Sequence, residues 1–370
     1  MRPETEAELA GLIAGRDAPL WIRGGGTAGV VPDGADVLET CGLAGISLYE
    51  PGALTLVVKA GTPLAEVEGV LAAEGQRLAF EPVDLRGVLG ASGEPTIGAV
   101  AAMNVSGPRR IQAGACRDFM LGVRYVDGLG TIVKNGGRVM KNVTGYDLVK
   151  LMSGACGTLG VLTEVSMKVL PMPEAQGCVM VDGLAPDAAV RAMSAALGSP
   201  YDVTGAAHLP VGVDGAPVTM VRVEGFGAQV EYRTGKLRDL LGRFGDVRVE
   251  TDAERVTAGW RYVRDLEGFV GVEGDLWRIS VKPSDGPAVL AGLNAVKAQM
   301  DWGGGLIWAV VPAGTDVRSR MGVAGHATLV RGLGQPRFHP ETPVNAQLAA
   351  GLRAKFDPKG MFNPGLMGAN

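Results

Sequence analysis

The chain reads as an α+β protein of two domains, and three observations support that reading. Its 370 residues exceed one ordinary compact core. Short apolar strands alternate with glycine-rich turns over residues 19–171, whereas residues 177–332 alternate strands of six to eight residues with helical stretches. A composition of 57 Gly, 46% hydrophobic and 20% charged residues describes a turn-rich, well-buried globular chain and excludes a disordered one.

In chain order, Thr5 and Glu8 have capping-box spacing and predict a surface helix ending near Ala14, not a signal peptide. The stretch PLWIRGGGTAGV (19–30) runs an apolar strand into three consecutive glycines. Gly24, Gly26 and Gly29 satisfy G-x-G-x-x-G, but Val30, Val31, Pro32, Asp33 and Gly34 follow as extended chain and turn. A dinucleotide fingerprint needs a helix there. The glycines therefore suit a phosphate loop between strands, with a plain glycine turn as the alternative. TLVVKA (55–60) is strand-like, and Gly61-Thr62-Pro63 starts a helix over 64–74 with Leu64, Val67, Leu71 and Ala72 inward. Small residues over 90–107 leave room for a ligand along the main chain, or for tight helix packing.

Strands over 121–125 and 131–133 form a hairpin through Asp127-Gly128-Leu129-Gly130. A short helix over 146–152 ends at Gly154, a strand covers 159–169, and Pro171 and Pro173 mark a junction. Beyond it, helices are expected near 185–197, 228–242 and 286–299, and strands at 219–223, 276–281 and 306–311. A last helix spans 343–356.

A net charge of −4, with no run of Lys and Arg among aromatics, argues against a nucleic-acid partner. Cys41, Cys116, Cys156 and Cys178 lack C-x-x-C spacing, so reduced thiols are expected and no metal site. No apolar run reaches the roughly 18–20 residues of a membrane span. The expectation is a cytoplasmic protein whose association with the inner membrane, if any, runs through partners.

Taken together, RGGGT (23–27), NVSGPRR (104–110), GACRDFMLG (114–122), KNVTGYDLVKLMSGACGTLGVLTE (141–164) and FDPKGMFNPG (356–365) resemble the FAD-binding proteins of the vanillyl-alcohol oxidase type. LWRISVKPS (276–284), DWGGGLIW (301–308) and GHATLVRG (325–332) are most similar to the FAD-binding subunits of bacterial glycolate oxidases within that group. The resemblance implies a PCMH-type FAD-binding domain of two small α+β subdomains over 1–171. It also implies a ferredoxin-like α/β sandwich over 172–335 as a cap on the substrate side, and a segment 336–370 returning to the first domain.

The same resemblance implies site residues. Arg23, Gly24, Gly25, Gly26 and Thr27 would hold the FAD pyrophosphate, with Pro95, Thr96, Ile97 and Gly98 on its other side. Asn104, Ser106 and Gly107 would line the flavin and ribityl chain, and Arg117 and Asp118 would lie near the isoalloxazine. Gly154, Gly157, Gly160 and Val161 would contact the adenine half, and Asn363 would return towards the flavin. Thr27 stands where members that attach FAD at this loop carry His, so non-covalent FAD is expected, with Cys116 the one alternative anchor.

Hydride transfer from a small 2-hydroxy acid to flavin needs a base and a cation for the carboxylate. His326 and His339 are the candidate bases, with His208 a third histidine in the cap, and Arg278 and Arg331 are the candidate carboxylate partners. The H-x₆-H metal pattern of related catalytic chains is absent around His326. The expected role is therefore an FAD-binding subunit of a glycolate oxidase complex, passing electrons to a second flavin subunit and an iron-sulfur subunit. A self-sufficient 2-hydroxy acid dehydrogenase of the D-lactate type, or a structural subunit with a vestigial flavin site, are the alternatives.

Overall fold

The computed structural model describes residues 1–27, 32, 34–139 and 145–368. The chain divides into two compact units: Met1–Ser106, Gly114–Met172 and Pro340–Asn370 form unit 1, while Gly107–Ala113 and Pro173–His339 form unit 2.

Unit 1 opens with α1 (Glu6–Ala14), where Thr5 Oγ1 accepts from the Glu8 amide at 3.1 Å. The Glu8 carboxylate reaches back to the Glu4 amide at 2.9 Å and not to that of Thr5, so half of the capping box closes one residue early. β1 (Trp21–Arg23) pairs in parallel with β2 (Val37–Glu39). β3 (Ile46–Glu50) and β4 (Thr55–Lys59) start an antiparallel sheet. α2 (Leu64–Ala73) buries Leu64, Val67 and Leu71. Ala72 is exposed, because it lies a further 100° around the helix from Leu71. β5 (Gln76–Arg77), α3 (Arg86–Leu89) and α4 (Ile97–Ala102) follow, and α5 (Arg110–Ala113) belongs to unit 2.

The chain then adds α6 (Cys116–Phe119), β6 (Met120–Val126) and β7 (Ile132–Gly136). Asp127 Oδ1 closes the β6–β7 hairpin by accepting from the Leu129 and Thr131 amides at 2.9 and 2.8 Å. After α7 (Leu148–Met152), β8 (Val161–Lys168) takes the centre of the sheet, in the order β3-β4-β8-β6-β7, and β9 (Leu170–Pro171) pairs with β5.

Unit 2 is one eight-stranded antiparallel sheet built twice over. β10 (Ala175–Asp182), α8 (Pro186–Leu197), β11 (Val203–Leu209), β12 (Val218–Gly225), α9 (Gly227–Leu241) and β13 (Val247–Glu250) form a βαββαβ unit. α10 (Ala253–Arg264) follows. β14 (Asp275–Val281), α11 (Gly286–Leu293), β15 (Lys297–Asp301), β16 (Leu306–Val311), α12 (Val317–Arg320) and β17 (Gly325–Arg331) repeat the pattern. The order β13-β10-β12-β11-β15-β16-β14-β17 joins the two copies edge to edge, with β11 and β15 paired at His208 and Met300.

One apolar core, including Val179, Met193, Val221, Leu237, Trp277, Ile307 and Leu329, serves both copies. On the other face, Val256, Trp260 and Val263 of α10 pack on Cys178, Met180 and Met220 of the first copy. The helix expected over 286–299 stops at Leu293, because Asn294 takes a left-handed φ of 51° and 297–301 is β15. The apolar spacing of Leu290, Leu293 and Val296 runs on past that cap and imitates a longer helix. α13 (Pro343–Phe356) belongs to unit 1.

Segment 107–113 is fixed in unit 2 by a buried, two-pronged ion pair between Arg109 and Glu224, with Arg109 Nε to Glu224 Oε2 at 2.8 Å. Trp302 Nε1 also donates to the Gly107 carbonyl at 3.1 Å.

His208 is fully buried, with Nδ1 3.0 Å from Thr219 Oγ1 and Nε2 without a partner. Burial pushes its pKa down to about 4. The unfolded chain, with an ordinary histidine pKa, binds a proton that the folded chain refuses, so stability is full above about pH 6.5 and falls towards pH 4. Denaturant titrations across that window should show this site costing about 3 kcal/mol. His208→Gln should flatten that part of the slope, and an unchanged slope would refute the assignment.

Candidate functional site

β1 delivers Arg23 to the glycine loop, where its guanidinium pairs with Glu39 of β2 and holds that carboxyl below its usual range. A Cβ at Gly24 would lie 2.5 Å from Thr96 Oγ1, one at Gly25 1.5 Å from the Glu94 carbonyl oxygen, and one at Gly93 1.7 Å from the Gly25 oxygen. Gly25 thus meets 93–94 main chain to main chain and Gly24 meets the Thr96 side chain, leaving no room for a side chain at either. Gly26 needs glycine for a different reason, a φ of +74°. The amides of Gly24, Gly25, Gly26 and Thr27 have no acceptor among the described residues, although Thr27 is buried. Consecutive donors of this kind suit a phosphate. Gly29, the last glycine of the apparent fingerprint, lies outside the described residues.

The loop is one station on a ring of close contacts and hydrogen bonds. Ile97 and Gly98 donate their amides to the carbonyls of Thr62 and Ala60 at 3.0 and 2.8 Å, and Pro95 accepts from Leu64 at 2.7 Å. Segment 95–98 is therefore stitched to 60–64, and the amides of Ile97 and Gly98 are not open to a ligand. At the far end of α4, Ala101 accepts from Ser153 Oγ at 3.2 Å and Ala102 from the Cys156 amide at 2.9 Å. The Cys156 carbonyl accepts from Asn363 Nδ2 at 2.8 Å, while Asn363 Oδ1 accepts from the Ile22 amide at 2.7 Å. Asn363 is thus a clamp on β1, with both side-chain ends engaged by main chain. Gly157 lies against it with a φ of +73°, Gly160 packs on Tyr125, Gly154 turns with a φ of +89°, and the buried Val161 starts β8.

Asn104 Oδ1 accepts from the Arg117 amide at 3.0 Å, and Ser106 Oγ accepts from the Cys116 amide at 2.9 Å. These two side chains fix the start of α6. Arg117 and Asp118 are exposed and 3.8 Å apart. Lys150, absent from the sequence-derived candidates, donates to the Arg117 carbonyl and lies 3.9 Å from Asp118. Burial, then the Asp118 carboxylate, push the Cys116 thiol far up, so it is no nucleophile. Gly107 falls in unit 2, and residues 141–144 of the KNVTG motif lie outside the described residues.

Unit 2 holds the substrate-side candidates. Arg331 donates to the carbonyls of Val272 and Gly274, which makes it an anchor for that turn. His339 Nδ1 accepts from the Ala327 amide at 3.3 Å. His326 is exposed and opposite Ser280 in the β14–β17 register. Its pKa is lowered by partial desolvation, then by the charges of Arg278, His339 and Arg110. The Arg278 side chain makes no hydrogen bond or ion pair among the described residues; its Cζ lies 5.1 Å from the ring centre of Trp302 and 6.0 Å from that of Trp308. Arg110 and Trp302 escaped the sequence reading, although both sit in motifs that it quoted. No group of three His, Cys, Asp or Glu suited to a metal occurs among the described residues.

The glycine cradle and the fold define a PCMH-type flavoprotein, and the FAD binding domain family matches residues 1–136. Glycolate oxidase subunit GlcE of Escherichia coli (strain K12) is 35% identical over 356 residues, covering 94% of this chain and 92% of that one. The chain belongs to the GlcE family of FAD-binding oxidoreductase subunits. Glycolate oxidase subunit GlcD of Bacillus subtilis (strain 168) is 37% identical over 99 residues, covering 27% of this chain and 21% of that one. A solved alkyldihydroxyacetonephosphate synthase shares the fold, with a TM-score of 0.71 at 16% identity, covering 98% of this chain and 76% of that one.

Asn363→Ala removes these partners from the half-buried Ile22 amide and Cys156 carbonyl, at a cost of up to about 1–3 kcal/mol for each. Gly25→Ala forces the loop away from Glu94. Both variants should keep their secondary structure by circular dichroism and lose most bound flavin, read as the 450/280 nm absorbance ratio. Full flavin content in either folded variant would overturn the role given to that residue.

Proposed function

We propose that this chain is the FAD-binding subunit of a glycolate oxidase, acting in the oxidation of glycolate to glyoxylate beside a second flavin subunit and an iron-sulfur subunit. The observation that carries this reading is the run of amides at 24–27 that have no acceptor among the described residues, on the loop after β1 that Asn363 clamps, in a chain that matches GlcE along 94% of its length. The residues fit the cofactor: four adjacent donors meet a diphosphate, and glycines exclude side chains from its path. FAD, when bound, supplies the two-electron acceptor for an alcohol carbon. The protein's part is to hold and orient it through the loop, the α4 segment and the α6 turn. No helix among the described residues is long and apolar enough to cross a membrane, and the iron-sulfur partner would carry electrons onward from flavin.

Non-covalent attachment follows from Thr27 at the loop and from the buried, protonated thiol of Cys116. The purified chain should be yellow, release its flavin into the supernatant on acid precipitation, and keep full flavin content as Cys116→Ser. A yellow pellet would refute non-covalent binding, and a colourless native protein would refute the FAD role.

A further inference from the structure

We propose that Arg278, Arg110 and Trp302 of unit 2 form a binding site for a small 2-hydroxy- or 2-oxo-carboxylate. Trp277 and Ile279 turn into the core, so Arg278 projects from the opposite face of β14. On that face Arg278 stands opposite Trp308 of β16 and Thr328 of β17, and one row along Ser280 stands opposite His326. Paired residues share a face, so one patch combines a guanidinium, two hydroxyls, an imidazole and an indole.

Trp302 completes it from the turn after β15. Its backbone takes a left-handed φ of 52°, Asp301 Oδ1 accepts from its amide at 2.7 Å, and its indole N–H donates to the Gly107 carbonyl. So held, the ring has Arg110 Cζ at 4.3 Å and Arg278 Cζ at 5.1 Å from its centre. Two like charges therefore share one indole, with Asp301 the acidic group acting on Arg278.

The neighbouring arginines are matched otherwise: Arg109 by Glu224, Arg331 by carbonyls, Arg264 by Asp265. The Arg278 guanidinium instead stacks on aromatic faces, with Asp301 acting on it electrostatically. Burial and the Arg110 charge lower its pKa to about 10, a destabilisation of the cation that a bound anion would relieve. A guanidinium fork matches a carboxylate in two parallel hydrogen bonds. The hydroxyls of Ser280 and Thr328 and the neutral ring of His326 are of the right kind to meet the oxygen on the adjacent carbon.

The identity of the ligand rests on the function proposed above, whereas the existence of the site does not. The test is calorimetric titration of the purified full chain at pH 7 with oxalate and with glycolate, and with sulfate as the non-carboxylate anion. Wild type is compared with Arg278→Gln, Arg278→Lys and Arg110→Gln, with thermal midpoints recorded for each. Oxalate should bind wild type once per chain, and Arg278→Gln should weaken it by about tenfold or more, the effect of losing a charge-assisted hydrogen bond. Arg278→Lys should fall between the two.

Absence of binding to wild type would overturn the proposal, as would unchanged affinity in folded Arg278→Gln. Equal binding of sulfate would overturn the carboxylate assignment. Should Arg278→Gln fail to fold, Arg110→Gln decides on the same criterion. Flavin content of the same samples separates the two readings: a colourless protein that binds oxalate refutes the cofactor role and leaves this site standing.

Discussion

The hydrogen bonds of Asn363 to Leu20, Ile22 and Cys156 are what the β1–β2 end of unit 1 depends on. β1 and β2 are three residues each, and an isolated two-stranded sheet of that length has little stability of its own. The tail supplies what is missing. Leu20 bridges to Phe362 and donates to the Met361 carbonyl at 2.8 Å, and Asn363 donates its own amide to Leu20 at 2.9 Å. Leu20, Leu38, Val126, Val161, Met361 and Phe362 then share one apolar cluster with Leu9 and Ile13 of α1. Asparagine suits the position twice over: it tolerates the φ of 45° found there, and its amide offers a donor and an acceptor to two main-chain segments.

This clamp also revises the reading of the glycines. Their evident meaning in the sequence is space for a ligand, and Gly26, with its positive φ and neighbouring amides that have no acceptor among the described residues, is compatible with it. At Gly24, Gly25, Gly93 and Gly98 the space is already filled by the protein's own main chain or side chains. A glycine-rich motif records close approach without saying what approaches. The segments that the motifs singled out do meet in unit 1, since those glycines, Asn104, Ser106 and Asn363 join them by contacts and hydrogen bonds. Which groups would remain for the cofactor was not legible, because that depends on pairing between residues hundreds of positions apart.

The second unit shows the same limit. Amphipathic spacing predicted α8, α9 and α13 closely, but the doubling of the βαββαβ unit left no repeated motif in the sequence. Only the strand order reveals it. The two copies have since taken different surfaces. The first covers its outer face with α10 around Trp260, whereas the second carries the arginine, histidine and hydroxyl patch there. A lone histidine and a lone arginine carry no sequence signal for such a patch. Register brings Arg278 and His326 to one face, and Trp302 is added by an unusual backbone turn.

The clamp also sets an order of events at birth. Ile22 and Asn363 are 341 positions apart, and all of unit 2 is synthesised between them. At roughly 5–20 residues per second, β1 and its loop leave the ribosome about 17–70 s before their partner exists. During that interval the nucleotide cradle is unfinished, while the second unit, whose residues all precede position 340, can complete its sheet. The Asn363 clamp on β1 is thereby reserved for chains translated almost to the end. A truncated product that stopped after the sheet of unit 2 would carry the whole of that unit and lack the bonds of Asn363 to Ile22 and Cys156.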